Sequence, residues 1–208
     1  SKDLLNDKFF LELNEIKSKL KKNSLVLMID GFEKLNIKKS EKIYNILLNL
    51  RKKKYISKFG YSIYFFKNLK KICKKFKPDI LQCPYNVLDR RLEKNNLIAF
   101  LKKNKIEIHV RTIFLQGLLI QDYSLLPNKF LRWKKIFKKF NESMSYYNVS
   151  NLKGCLNFID KNKYINKILV GVDNLDHLKE IVNFKRKKNM IFPRFDFKNE
   201  KLINPSKW

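Results

Sequence analysis

The chain has 208 residues, enough for one domain, and its 44% hydrophobic and 13% aromatic content supports a packed core and excludes wholesale disorder. A formal net charge of +28 makes a surface that attracts phosphate, nucleic acid or anionic lipid. Three widely spaced cysteines without a CxxC pair argue against a disulfide scaffold or a zinc site and fit a reducing compartment.

The start "SKDLLNDKFF" is charged and lacks the apolar core of a signal peptide. The first helix is expected over about Asp7–Lys22, where Phe10, Leu13, Ile16, Lys17 and Leu20 recur at helical spacing. "SLVLMID" reads as a short buried strand. A helix over about Ser40–Lys53 presents Ile43, Ile46, Leu47 and Leu50, with Ser40 as its expected N-cap. "YISKFGYS" is the second strand, and "KNLKKICKKF" a helix with a Leu69, Ile72, Cys73, Phe76 stripe. "DILQCPY" is the third strand, "LEKNNLIAFLKKN" a helix and "KIEIHVRTIF" the fourth strand.

A loop, "LQGLLIQDYSLLPN", leads to a long amphipathic helix over about Lys129–Tyr147 and a shorter one, "NLKGCLNFIDKN". "NKILVGV" is the fifth strand and "LDHLKEIVNFKRK" the last helix. Residues 187–208 form a tail of no clear period. The longest apolar run, around "IFLQGLLI", is too short to span a bilayer, so the expected location is cytoplasmic. The lysines are scattered over every predicted helix and come with many Asn and Ile, as A/T-rich codons would also produce. Nucleic-acid binding is therefore the lesser reading of the charge.

Strand alternating with helix, without hairpin turns, implies an α/β fold with a parallel sheet and crossover helices. An open doubly wound sheet and a barrel both fit. No G-x-G-x-x-G or GK[ST] phosphate loop is present. Four of the five glycines, Gly31, Gly60, Gly117 and Gly171, are expected at or just past strand ends, where close backbone approach suits a ligand.

The strand ends carry Asp30 and Glu33, Ser62, then Gln82, Tyr85 and Asn86, then Arg111, Thr112 and Gln116, and finally Asp173, Asn174 and His177. Hydroxyl, amides, guanidinium and a helix N-terminus on one rim suit a polar, anionic small molecule. No metal cluster is readable, because the two histidines stand apart from any carboxylate pair. His109, alternating with apolar neighbours, reads as a packed strand residue. Trp133, Phe137 and Cys83 read as core. The turn Asp89, Arg90, Arg91 fits either an ion pair closing the rim or a solvated helix start.

The blocks "ISKFGYSIY", "PDILQCPYNVLDRRL", "IHVRTIFLQGLL" and "ILVGVDNLDHLKEI", with a terminal "LINPSKW", resemble the aldo-keto reductases. The resemblance is strongest to the bacterial branch that accompanies surface-sugar biosynthesis, and runs from about Asp7 to Trp208. It implies a (β/α)8 barrel binding NADP or NAD across its C-terminal rim and reducing a small carbonyl substrate. The chain would be a single incomplete domain over residues 1–208, a partial TIM barrel of about five parallel strands matching the family's fourth to eighth.

The resemblance assigns Ser62 and Gln82 to the nicotinamide carboxamide, and Arg111 to the position where the family stacks an aromatic on the ring. Thr112, Leu115 and Gln116 would lie along the pyrophosphate, and Gly171, Asn174 and His177 at the adenosine phosphate. His177 stands where many relatives carry a basic residue for the 2′-phosphate.

The family's Asp, Tyr and Lys lie on barrel strands with no counterpart here, and Asp30, or Ile29 in another register, takes the place of its catalytic His. Five strands cannot close such a barrel and would expose a sheet edge. Two explanations fit, a C-terminal piece of a longer oxidoreductase, which the missing initial Met favours, or a non-catalytic paralogue. On either, this chain alone is expected to be inactive.

Overall fold

The computed structural model describes residues 7–20, 25–195 and 199–208. The start Ser1–Asn6, the expected helix end at Lys21–Lys22, and Asp196–Lys198 in the tail lie outside the described residues. Five parallel strands form one sheet in the order β1 (Leu25–Asp30), β2 (Ile56–Ser62), β3 (Ile80–Pro84), β4 (Glu107–Arg111) and β5 (Lys167–Ile168). Each strand lies beside the one before it in sequence. A doubly wound sheet reverses its order at a switch point. The unbroken order is that of a barrel, which decides between the two folds the alternation allowed. The chain divides into two compact units, Ser1–Leu81 and Gln82–Trp208.

In the first unit, α1 (Asp7–Leu20) precedes β1, whose Val26 is 49% exposed, as expected of an edge strand. Strands β1 and β2 pair up to Asp30 opposite Ser62. Helix α2 (Ile37–Lys52) begins earlier than the sequence suggested. Its N-cap is Asn36, whose Oδ1 accepts from the Lys39 amide at 2.9 Å. Ser40 is not the cap. It is buried one turn inside, and its hydroxyl donates to the Asn36 carbonyl. Asn and Ser cap equally well, so propensity alone could not choose between them.

Phe32 stacks on Tyr61 at 3.8 Å between ring centres, and Phe59 and Phe76 complete an aromatic core. Helix α3 (Leu69–Lys75) buries Leu69 and Cys73 against it. Gly60 lies within β2, opposite Met28, and not at the strand end. A Cβ there would fall 2.6 Å from the Ile80 carbonyl oxygen and 2.7 Å from the Met28 sulfur. Packing, not ligand access, requires this glycine.

In the second unit, the helix expected over 92–104 is broken. Residues Arg91–Asn96 form 3-10 turns, Asn95 and Asn96 are left-handed at φ 53° and 52°, and α4 covers only Leu97–Lys103. Asn tolerates this conformation better than other non-glycine residues. The long helix also starts as a 3-10 turn, Asn128–Trp133, before α5 (Lys134–Tyr146). Trp133 and Phe137 are buried as expected.

Helix α6 (Asn151–Asp160), capped by Ser150, packs Gly154 against Met144. Strand β5 has two residues, but the ladder on β4 extends past it. Asn166 exchanges two hydrogen bonds with Ile108, one through its side-chain oxygen, and the Leu169 amide donates to Val110. Helix α7 (Leu175–Val182) follows, and the tail is irregular apart from the one-turn α8 (Glu200–Ile203) and a closing 3-10 turn. His109 is buried, with Nε2 3.1 Å from Glu107. No helix among the described residues is long and apolar enough to cross a membrane.

Gly60→Ala should destabilise the first unit by about 1–3 kcal/mol, because the obstacle is partly backbone and cannot rotate away. A lowered urea midpoint with native-like circular dichroism would be the expected result. The three cysteines are buried free thiols, and burial holds Cys73 up at about 12. A raised thiol pKa means the neutral form persists through pH 8. The native chain should therefore react slowly with a disulfide reagent at pH 8, and all three thiols should react on unfolding.

Candidate functional site

The second unit holds a cleft of about 530 Å³ where the segment after β4 faces the segment after β5. Strand β4 ends at Arg111 because Thr112 turns the chain at φ 60°. Three successive left-handed residues follow, Leu115, Gln116 and Gly117, at φ 48°, 53° and 84°. Such conformations cost about 1–2 kcal/mol per non-glycine residue. Burial offsets that cost, since Ile113, Leu115, Leu118 and Leu119 are each within 5% of full burial. The loop thereby presents Thr112, Phe114, Gln116 and Gly117 to the cleft.

The opposite wall is the chain leaving β5 and entering α7. Gly171 and Asp173 line it, and Gly171 has no atom within 4 Å of where a Cβ would stand. Asn174 caps α7, its Oδ1 accepting from the His177 amide at 2.8 Å. Its Nδ2 lies 3.3 Å from His177 Nδ1. With Oδ1 occupied by the amide, Nδ2 is the donor, so the imidazole Nδ1 accepts and the neutral ring carries its proton on Nε2. Arg111 Nη1 donates to Thr112 Oγ1 at 3.3 Å. The cleft therefore combines a guanidinium, an imidazole, a hydroxyl, an amide, the Asp173 carboxylate and two glycines with open Cβ positions.

Of the nine residues that the family resemblance assigned to the cofactor, five line this cleft: Arg111, Thr112, Gln116, Gly171 and His177. Leu115 is fully buried beneath it and Asn174 holds its rim. Ser62 closes β2 and is buried, with its carbonyl accepting from the Gly31 amide. Asp30 closes β1 and is exposed. Gln82 is the middle residue of β3, half-buried between buried Leu81 and Cys83, and not at a strand end as the sequence suggested. Leu169, Val170 and Ile181 supply an apolar wall that the sequence reading missed. Their one trace in the sequence is the run "ILVG" before Gly171, which reads as any apolar strand does.

The charged turn after β3 is an ion pair. Asp89 is fully buried, and Arg91 grips it through Nε at 2.8 Å and Nη2 at 2.7 Å. Asn86 accepts from the amides of Leu88 and Asp89 and donates to the Thr112 carbonyl at 3.0 Å. The Tyr85 hydroxyl donates to Glu93, and burial with that carboxylate raises its pKa above the ordinary tyrosine value. Among the described residues, no group of three or more His, Cys, Asp or Glu side chains could hold a metal ion.

These features are those of a parallel α/β fold whose second unit carries a polar cleft at its strand exits. The aldo/keto reductase family model matches residues 14–190, and the chain belongs to that family. Curated protein sequences give no match. Among solved structures, the holo form of aldo-keto reductase AKR11C1 from Bacillus halodurans aligns with a TM-score of 0.65 at 15% identity, over 85% of this chain and 62% of that one. The thermostable aldo-keto reductase Tm1743, in complex with the inhibitor epalrestat, aligns at 0.62 and 16% identity, over 90% and 65%. The glycerol dehydrogenase AKR11B4 from Gluconobacter oxydans aligns at 0.57 and 15% identity, over 84% and 62%. The chain thus spans about three-fifths of the length of these structures.

Asn174→Ala should cost about 1 kcal/mol through loss of the α7 cap and free the His177 ring, whereas Asn174→Ser should recover most of the stability. Thermal unfolding would measure the first effect and the imidazole resonances of His177 the second.

Proposed function

We propose that this chain forms the cofactor-holding part of an NAD(P)H-dependent carbonyl reductase. The observation that carries the reading is the convergence of Arg111, Thr112, Gln116, Gly171 and His177 on one cleft. The fit to a nucleotide phosphate is chemical. Gly171 and Gly117 leave backbone open to close approach, and Arg111 supplies a fixed cation. Thr112 and Gln116 offer donors beside it, and the Nε2 proton of His177 remains available for a phosphate oxygen.

Bound NAD(P)H would supply the hydride that reduces a carbonyl carbon. The residues of this chain bind and orient. Arg111, at the position where the family stacks an aromatic, offers a guanidinium plane that can lie over a ring. For Ser62 and Gln82 the assignment to the nicotinamide carboxamide rests on family resemblance. Hydroxyl and amide both donate and accept, as a carboxamide does.

By family resemblance Asp30, or Ile29 in another register, stands at the position of the catalytic His. An ionised carboxylate accepts hydrogen bonds and donates none, so it cannot replace an imidazole as donor to a carbonyl oxygen. That favours an acid supplied from outside this chain, in a longer protein. The same substitution is the observation behind the second reading, a paralogue that retains the scaffold without catalysis.

NADPH and NADH titrated onto the 208-residue chain should bind saturably. Arg111→Ala and His177→Ala should each weaken binding about tenfold, the worth of one charge-assisted hydrogen bond. Absence of binding to the folded chain, or indifference to both substitutions, would overturn the proposal. Turnover of simple aldehydes by this chain alone would overturn the assignment of the acid to another segment.

A further inference from the structure

The two walls of the cofactor cleft differ in chemistry. The loop after β4 carries Arg111, Thr112 and Gln116. The chain from β5 into α7 carries Asp173 beside Leu169, Val170 and Ile181. Asp173 is the cleft's one carboxylate among the described residues. It is exposed and has no hydrogen-bond or ion-pair partner among them. A carboxylate repels phosphate, so the holding of a pyrophosphate leaves Asp173 unused.

Its two oxygens only accept, at about four lone-pair sites. They suit a group with paired donors and no negative charge. A ribose with free 2′- and 3′-hydroxyls is such a group, and its bonds to a carboxylate are charge-assisted. A ribose 2′-phosphate brings about two negative charges to the same place and no donor.

Apolar cover lies on the same wall. Leu169 is 39% exposed and Ile181 is half-buried, so both leave surface for an adenine to meet. Base and ribose of one adenosine thus find matching chemistry side by side. The facing wall keeps Arg111 for the pyrophosphate, which NADH and NADPH share.

The charge of the cleft points the same way. The chain carries +28, yet the ionisable groups lining the cleft cancel, Arg111 against Asp173, with the neutral His177 adding a donor but no charge. Among the described residues, no second lining Lys or Arg offsets a further phosphate.

We infer that Asp173 determines cofactor choice, accepting hydrogen bonds from the adenosine ribose hydroxyls and disfavouring a 2′-phosphate, so that the cleft takes NADH in preference to NADPH. This rests on the reductase reading of the cleft.

The test titrates the 208-residue chain with NADH and NADPH at pH 8, where imidazoles are neutral. Adenosine 5′-monophosphate and adenosine 2′,5′-bisphosphate isolate the ribose end. NADH should bind about tenfold more tightly than NADPH, solvent screening at an exposed position limiting the discrimination to that size. The monophosphate should bind more tightly than the bisphosphate. Asp173→Asn removes the charge at nearly constant shape. It should tighten NADPH about tenfold and weaken NADH about threefold, with circular dichroism unchanged. Asp173→Arg should reverse the preference. NADPH binding as tightly as NADH, or a preference that Asp173→Asn leaves unchanged, would overturn the inference while the reductase reading stands. Failure of both cofactors to bind the folded chain would overturn that reading and this inference with it.

Discussion

Asp89 has no exposed surface, and a carboxylate in that position must be held or it unfolds what surrounds it. Arg91 supplies two parallel hydrogen bonds, and the Asp89 amide is itself held by Asn86. Asn86 then reaches across to the Thr112 carbonyl, while the Tyr85 amide donates to the Arg111 carbonyl. One buried ion pair thus fixes the exit of β3, and that exit fixes the exit of β4. The turn that sets Arg111 and Thr112 at the cleft mouth is built on it. Removing either partner would leave a buried charge uncompensated, a loss of about 3–5 kcal/mol in such settings.

Two kinds of glycine occur in this chain, and they serve opposite ends. Gly60 is where two strands and a methionine crowd one point, and its missing side chain lets the sheet close. Gly117 and Gly171 have open space where a side chain would stand. Packing requires the first, whereas Gly117 stands at φ 84°, a backbone that a side chain would strain, and Gly171 meets no neighbour. A sequence reading gives all three the same letter and the same neighbourhood near a strand end, so it cannot separate them.

That limit recurs. Periodicity located every strand and the main helices, because burial on one face is written into the spacing of Leu, Ile and Phe. Boundaries were less legible where several polar residues could serve one role. Asn36 and Ser40 compete for one cap, and Asn95–Asn96 breaks a helix that the apolar stripe would have continued. The candidate site was legible where chemistry stands at a strand exit, as at Arg111, Gly171 and His177. Its apolar wall was not, since Leu169 and Val170 look like any strand residues. The placement of Leu115 beneath the cleft depends on a run of left-handed residues that no propensity predicts.

That run has a kinetic consequence. Segments of irregular backbone near a ligand commonly wait for the ligand to order them, and association then slows by the fraction of time spent closed or misfolded. Here the buried side chains of Ile113, Leu115, Leu118 and Leu119 fix the loop from below. The donors of Thr112 and Gln116 sit on backbone whose shape is set during folding. On the proposed reading, encounter with an anion would need diffusion and desolvation alone, and the positive field of the chain would shorten the diffusion.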